Sequence, residues 1–158
     1  MIELRKTEEI AESLDSVLKH ISSKCETLVP NARIEHIGSS SIPGALSKGD
    51  VDILVMVKAD SFGGAKAALD SEFAHNPGMP PEENFVSYSG THLGTDFGIQ
   101  LAADLDDKFH FLELRDRLIA STELLEKYNR VKTEHADKSM TEYRKAKSDF
   151  IHEIVGDT

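Results

Sequence analysis

Gly38-Ser39, ten residues, and then Asp50-Val51-Asp52-Ile53-Leu54-Val55-Met56-Val57 is the stretch that decides the fold of this 158-residue chain. The apolar run from Ile53 to Val57 marks a buried strand, read over Val51 to Val57. Side chains two apart in a strand share a face, so Asp50 and Asp52 project together near its start. Two adjacent carboxylates repel unless a cation lies between them, and the pair therefore predicts bound Mg2+ or Mn2+. Gly38 lets the backbone approach a phosphate without a Cβ clash. Ser39 offers a hydroxyl and a backbone N–H to the terminal phosphates of a nucleotide.

Working outward from this stretch, Ile10, Leu14, Val17, Leu18 and Ile21 recur at helical spacing after Glu8-Glu9 and predict a helix ending near Val29, where Pro30-Asn31 breaks it. Arg33 to Ile37 reads as a short strand running into the Gly38-Ser39 turn. Ser40 to Lys48 reads as a loop or short irregular helix punctuated by Pro43-Gly44. Ser61 to Phe73 reads as a helix weakened by Gly63-Gly64. Residues 75 to 84 read as loop. Phe85 to Tyr88 and Asp96 to Ala102 read as paired strands joined through Gly90 and Gly94. From about Asp107 the spacing is helical, carried by Leu112, Leu114, Leu118, Leu124, Tyr128, Tyr143, Phe150 and Ile154. The expected class is α+β: a small mixed sheet with flanking helices, followed by C-terminal helices. The expectation is one domain over residues 1–158, with 107–158 as its helical part.

Composition narrows the function. A net charge of -10 argues against generic binding to long nucleic acid or an anionic membrane. It does not oppose a nucleotide held through a metal. The single cysteine, Cys25, falls on the apolar side of the first helix and reads as a buried structural thiol. The charged N-terminus lacks a signal-peptide core, and no apolar run is long enough to span a bilayer, so a cytoplasmic protein is expected. His92, His110, His135 and His152 show no zinc spacing.

The chemistry these residues suggest is nucleotidyl transfer, in which a triphosphate must be held, neutralised and attacked. Carboxylate-held metals suit the last two tasks. A third carboxylate usually comes from a neighbouring strand, and Asp96 opens the strand Asp96-Phe97-Gly98-Ile99-Gln100-Leu101. With Phe97, Ile99 and Leu101 facing the core, Asp96 shares the other face with Gly98 and Gln100.

These residues carry a resemblance. Gly38-Ser39 followed by Asp50-Val51-Asp52 is similar to the signature of the DNA polymerase beta-like nucleotidyltransferase superfamily. More narrowly, the chain resembles the GrpB-like (UPF0157-type) family. The similar stretches are Glu35 to Gly44, Ser47 to Asp52, Thr95-Asp96-Phe97, Leu114 to Leu118, Glu126 to Asn129 and Tyr143 to Ile151. The resemblance implies metal binding at Asp50 and Asp52, phosphate contact at Gly38 and Ser39, and a third carboxylate at Asp96. It supplies no acceptor.

Basic residues form a second layer. Lys48 precedes the aspartates and is placed to pair with phosphate or with Asp50. Arg115 falls in the first C-terminal helix. Tyr143 and Lys147 share a helix face, where Tyr143 would stack on a base and Lys147 reach phosphate. Each has a plainer alternative: a tight turn at Gly38-Ser39, a loop cap at Asp96, a surface pair of Arg115 with Asp116, helix packing at Tyr143 and Lys147. His36, just before the turn, reads more readily as a structural hydrogen-bonding residue than as a catalyst. The function expected is metal-dependent transfer of a nucleoside monophosphate from a nucleoside triphosphate to an acceptor the sequence does not name. The rival reading is a nucleotide- or metal-binding module of the same fold without turnover. A third is a transferase that modifies a protein or small amine.

Overall fold

The computed structural model describes residues 2–103 and 110–156. In chain order it forms β1 (Arg5–Lys6), α1 (Thr7–Leu28), β2 (Arg33–Ile37), β3 (Leu46–Ser47), β4 (Val51–Val57), α2 (Phe62–Asp70), β5 (Ala74–His75), β6 (Phe85–His92), β7 (Thr95–Ala103), α3 (Phe111–Ala120), α4 (Thr122–His135) and α5 (Met140–Val155). Five strands make one mixed sheet in the order β2-β4-β7-β6-β5. β4 and β7 run parallel at its centre, and the other neighbours are antiparallel. The expected α+β arrangement is what the chain adopts.

Alternation along β4 divides the sheet's two faces. Val51, Ile53, Val55 and Val57 join Ile99 and Leu101 of β7 on one face, covered by Leu14, Val17, Ile21 and Cys25 of α1 and by Phe62, Ala65 and Leu69 of α2. Each large side chain buried there contributes about 1.5–3 kcal/mol of hydrophobic stabilisation. Leu54 and Met56 point the other way, into a smaller cluster with Ile37, Phe85 and Ala102, roofed by Phe111 and Leu112 of α3. A third cluster joins Ile42 and Ala45 of the loop after β2 to Leu118, Tyr128 and Phe150 of the C-terminal helices. The second face is therefore covered at its far end and beside the Gly-Ser turn.

Three local expectations differ from what forms. α2 stops at Asp70 rather than Phe73 and is preceded by a 3-10 turn over Ala59–Ser61. Gly63-Gly64 stays helical because Phe62, Ala65 and Leu69 are buried on the sheet, and packing outweighs propensity. β5, opening in Ala74 and running into the segment read as loop, adds an edge strand to β6. β6 continues through Gly90 to His92, and the hairpin turns instead at Leu93-Gly94, both with positive φ (51° and 78°), as a two-residue hairpin favours. The helical onset placed near Asp107 lies outside the described residues; the first described C-terminal helix starts at Phe111. Cys25 is fully buried, and burial pushes its thiol up to about 12, an unreactive structural position. Among the described residues no helix is long and apolar enough to cross a membrane.

Candidate functional site

The site begins where β2 ends. Ile37 pairs with Asp52, so the turn that follows β2 folds back over the start of β4. Gly38 takes φ of 76°, a left-handed conformation that favours glycine, and Ser39 opens a 3-10 turn over Ser39–Ser41. Across β4, Asp52 registers with Gly98 of β7. The Asp52 carboxylate is therefore flanked by two glycines. A Cβ on Gly38 would stand 2.5 Å from its Oδ2, and a Cβ on Gly98 would stand 2.8 Å from its Oδ1.

Asp50 and Asp52 line the same cleft, as the strand period requires. Burial and then the nearby Asp50 push the Asp52 carboxyl up to about 7, against the opposing pull of Lys147 and Lys48. Burial likewise holds Lys147 below its ordinary range, although Asp50 and Asp52 favour its charge. Hard oxygen donors held together at this cost suit a divalent cation that completes its shell with phosphate and water, the usual manner of Mg2+. The donor set thus fits such an ion. Among the described residues no group of three histidine, cysteine or carboxylate ligands forms. Asp96 is exposed, and its carboxylate accepts the Thr91 hydroxyl at 2.8 Å. It sits on the same face as Asp52 but on the rim of the cleft.

The basic layer is rearranged relative to expectation. Tyr143 is only 1% exposed. Lys48 Nζ and Lys147 Nζ lie 5.9 and 5.6 Å from its ring centroid, so two ammonium groups, rather than an open face for a base, meet the ring. The stacking role expected of Tyr143 gives way to that of a platform for Lys48 and Lys147. Arg115 holds β2 instead of standing free. Its guanidinium donates to Glu35 at 2.9 Å, to the His36 carbonyl at 3.1 Å and to Asp116 at 2.9 Å. The hydrogen bond from Arg115 holds the Glu35 carboxyl below its usual range. His36 Nε2 meets the Ser40 hydroxyl at 2.9 Å, a structural tie inside the turn.

Lys132, which sequence reasoning passed over, and Tyr128 and Asn129, to which it gave no role in the site, pack around the turn and the loop that follows it. Lys132 of α4 is 1% exposed; its ammonium donates to Ser39 Oγ and, at 2.5 Å, to the Leu46 carbonyl, and lies 4.1 Å from the Tyr128 ring centroid. Burial drives its pKa well down. The Tyr128 ring beneath that ammonium is itself buried, and burial pushes its phenol up to about 12. Asn129 clasps the loop where it enters β3, accepting from Leu46 N–H at 2.8 Å and donating to the Gly44 carbonyl at 2.9 Å. From the other side, Thr7 of α1 donates to the carbonyls of Ala45 and Ser39, and Glu8 accepts from Gly44 N–H. The sequence signal was a lysine four residues beyond Tyr128, on what is otherwise an apolar stripe.

A cleft of about 200 Å3 opens between this turn, the two aspartates and the C-terminal helices, lined by Lys48, Lys147, Arg115 and Tyr143 among others. Comparison with solved structures finds this fold among nucleotidyltransferases. The Cid1 poly(U) polymerase with bound MgGTP superposes with a TM-score of 0.51 at 18% identity, over 79% of this chain and 42% of that one. A cytoplasmic RNA terminal U-transferase superposes at 0.53 and 17% identity, over 79% and 38%. These likenesses fix the fold; the chain spans less than half of either enzyme.

The family is narrower than the fold. The chain belongs to the GrpB family, whose family model, described as GrpB protein, matches residues 5–157. A UPF0157 protein of Vibrio cholerae is 34% identical over 96% of this chain and 80% of its own. The crystal structure of conserved protein GrpB from Enterococcus faecalis superposes with a TM-score of 0.62 at 15% identity, over 96% and 99%.

Proposed function

We propose that this protein binds a nucleoside triphosphate with Mg2+ or Mn2+ and transfers the nucleoside monophosphate to an acceptor. One observation carries the reading: the Asp52 carboxylate, raised by burial and by Asp50, faces a Gly-Ser turn that two layers of hydrogen bonds hold rigid. Asp50 and Asp52 would hold the cation, and Asp96, on the same sheet face at the rim, would have to leave Thr91 to join them. Bound there, the cation would neutralise the triphosphate and lower the proton affinity of the acceptor. Gly38 leaves room for a phosphate beside the backbone. Ser39, fixed by Lys132, presents the turn to the terminal phosphates. Lys48 and Lys147, seated on the Tyr143 ring, supply positive charge on the opposite wall. Fixed dipoles and charges aimed at the phosphates need no rearrangement during reaction, which is where such sites gain their rate.

A second reading has its own support. The position beside Asp52 on the neighbouring parallel strand is Gly98, and Asp96 is engaged by Thr91. A site with two carboxylates and no third close by would bind a metal–nucleotide without turning it over.

Binding of Mn2+ tests the shared part of both readings. With Mn2+ already held by a nucleoside triphosphate, its resonance should fall further on adding wild-type protein and stay unchanged on adding Asp52→Asn. An unchanged resonance with wild type, or equal loss with the variant, overturns the assignment of Asp52.

A further inference from the structure

α3 roofs the polar face of the sheet only at its far end, over Met56, Phe85 and Ala102. Nearer the hairpin, strand register leaves a polar row. Gly98 of β7 stands between Asp52 of β4 and Ser89 of β6, Asp96 stands opposite Thr91, and Gln100 stands opposite Ser87. A second cleft of about 630 Å3 opens over this row, with Arg144 of α5 in its wall. Lys48, Asp50, Asp52 and Gln100 line both clefts, so the two spaces meet at the aspartates. Two basic residues of α5 divide between them. Lys147 lines only the cleft at the Gly-Ser turn, and Arg144, three residues earlier, lines only the second. Lys147 is seated on the Tyr143 ring, whereas Arg144 is exposed and makes no hydrogen bond or ion pair among the described residues.

We propose that the second cleft holds the acceptor, and that the acceptor is a small polyhydroxylated anion, a sugar phosphate or a sugar acid. The inference rests on the nucleotidyl-transfer reading and extends it to the second substrate. Charge selects the anion. A divalent cation on Asp50 and Asp52 cancels those two carboxylates. The lining then carries Lys48 and Arg144 against Asp96, which Thr91 holds at the rim, and against no carboxylate at all where Asp96 joins the cation. Positive charge is in excess either way, which favours an anionic ligand. Arg144 is the cation that triphosphate binding leaves unused, and a free guanidinium matches a phosphate or carboxylate with paired N–H donors. The rest of the lining selects hydroxyl groups. Asn76, Ser89 and Thr91 supply neutral donors and acceptors. The Gln100 side-chain oxygen is buried without a hydrogen-bond partner where the two clefts meet, an acceptor that calls for an O–H from a ligand. The volume is that of a small-molecule pocket. Among the described residues, the only aromatic side chain of the lining is Phe97, which packs into the core at 8% exposure, so the cleft offers no stacking platform of the kind single-stranded nucleic acid uses.

In the transfer, a hydroxyl oxygen of the acceptor forms a bond to the α-phosphorus of the triphosphate. The bond from that phosphorus to the bridging oxygen breaks, pyrophosphate leaves with the electron pair, and the hydroxyl proton passes to solvent. The acceptor enters from the β6–β7 side with its anionic group on Arg144, while the triphosphate lies against Ser39.

The test uses the full chain, 15N-labelled, with Mg2+ and inorganic tripolyphosphate, which occupies the Gly-Ser side and carries no nucleoside to transfer. Glucose 6-phosphate or glucuronate should shift the amide resonances of Ser89, Thr91 and Gly98, and the tighter of the two names the anion. It should bind at least tenfold more tightly than glucose or glucosamine. Its Kd should rise about tenfold in Arg144→Gln, the loss of one charged hydrogen-bonding contact, while the affinity for Mg2+–tripolyphosphate, read by calorimetry, stays unchanged. No shift with either anion, shifts confined to the C-terminal helices or to Ser39 and Ser40, glucosamine binding as tightly as the anions, or an unchanged Kd in Arg144→Gln overturns the proposal. Shifts at Ser89 and Thr91 with a uridine hexanucleotide overturn it in favour of a nucleic-acid acceptor. Anion shifts at Ser89 and Thr91 without any tripolyphosphate shift at Ser39 and Ser40 support the anion site and count against nucleotidyl transfer, so the two failures are told apart.

Discussion

Gly98 lies directly across from Asp52 on the neighbouring parallel strand, and a Cβ there would come within 2.8 Å of the Asp52 Oδ1. The strand pairing at the centre of the sheet thus keeps one side of the key carboxylate clear. Gly38 keeps the other side clear, with a left-handed φ that adds its own preference for glycine.

Gly98→Ala should therefore disturb the site more than the fold. Asp52 must turn or shift, at an overpacking cost of about 1–3 kcal/mol. Thermal denaturation should show a drop of a few degrees, while metal–nucleotide affinity falls at least tenfold. Full affinity in the variant would mean that the Asp52 rotamer is unimportant.

Asp52 gives a signed pH prediction. An ordinary aspartate titrates near 3.8, whereas burial and Asp50 raise this one to about 7 in the folded chain. The folded state binds the proton more tightly, so ionisation costs stability as pH rises from about 4 to 7 and the loss is complete above 7. At about 1.4 kcal/mol per pH unit, the ceiling is roughly 4 kcal/mol. Asp52→Asn should melt higher than wild type at pH 8 without metal, and the gap should close toward pH 4. A variant that melts lower at pH 8 contradicts this.

Arg115 is predicted to act through β2 and not through a substrate. Its side chain is 17% exposed and is hydrogen-bonded to Glu35, the His36 carbonyl and Asp116. Arg115→Ala should cost about 1.5–3 kcal/mol, typical of a lost charged hydrogen-bond set. Glu35, freed of the bond that lowers it, should titrate nearer its ordinary value. Its contribution is present above the unfolded pKa and lost in acid, so the variant's deficit should shrink as pH falls below about 4. Chemical denaturation at pH 7 and pH 3.5 checks this. A large loss of nucleotide affinity with unchanged stability would restore a substrate role.

Lys132→Met removes an ammonium that few buried positions would tolerate. The methionine preserves much of the volume against Tyr128 but releases Ser39 Oγ and the Leu46 carbonyl. Nucleotide affinity should fall about tenfold or more, with melting changed by only a few degrees because the buried ammonium was itself costly to hold. Collapse of the fold, or intact affinity, would contradict the role given to it.

The central sheet was legible because local rules and packing agree there. The predicted bounds Arg33 to Ile37 and Val51 to Val57 match β2 and β4, and Asp50, one residue ahead of β4, lines the same cleft as Asp52. β1 and β3 have two residues each and no period to read; they exist because Arg5 and Lys6 pair with Ser47 and Leu46. Lys132 and Arg115 were obscure for a related reason. Their partners lie 93 and 80 positions away in sequence, so only the folded chain reveals them. Tyr143 was expected to stack on a base or to pack within its helix, and the structure buries its ring beneath Lys48 and Lys147.

Calorimetric titration of ATP, GTP, CTP and UTP in the presence of Mg2+, on wild type and on Asp50→Asn/Asp52→Asn, tests the central claim most directly. The account predicts that wild type binds at least one triphosphate and that the double variant, still folded, binds none. A wild-type protein that binds no triphosphate, or a double variant that binds as well as wild type, would contradict it.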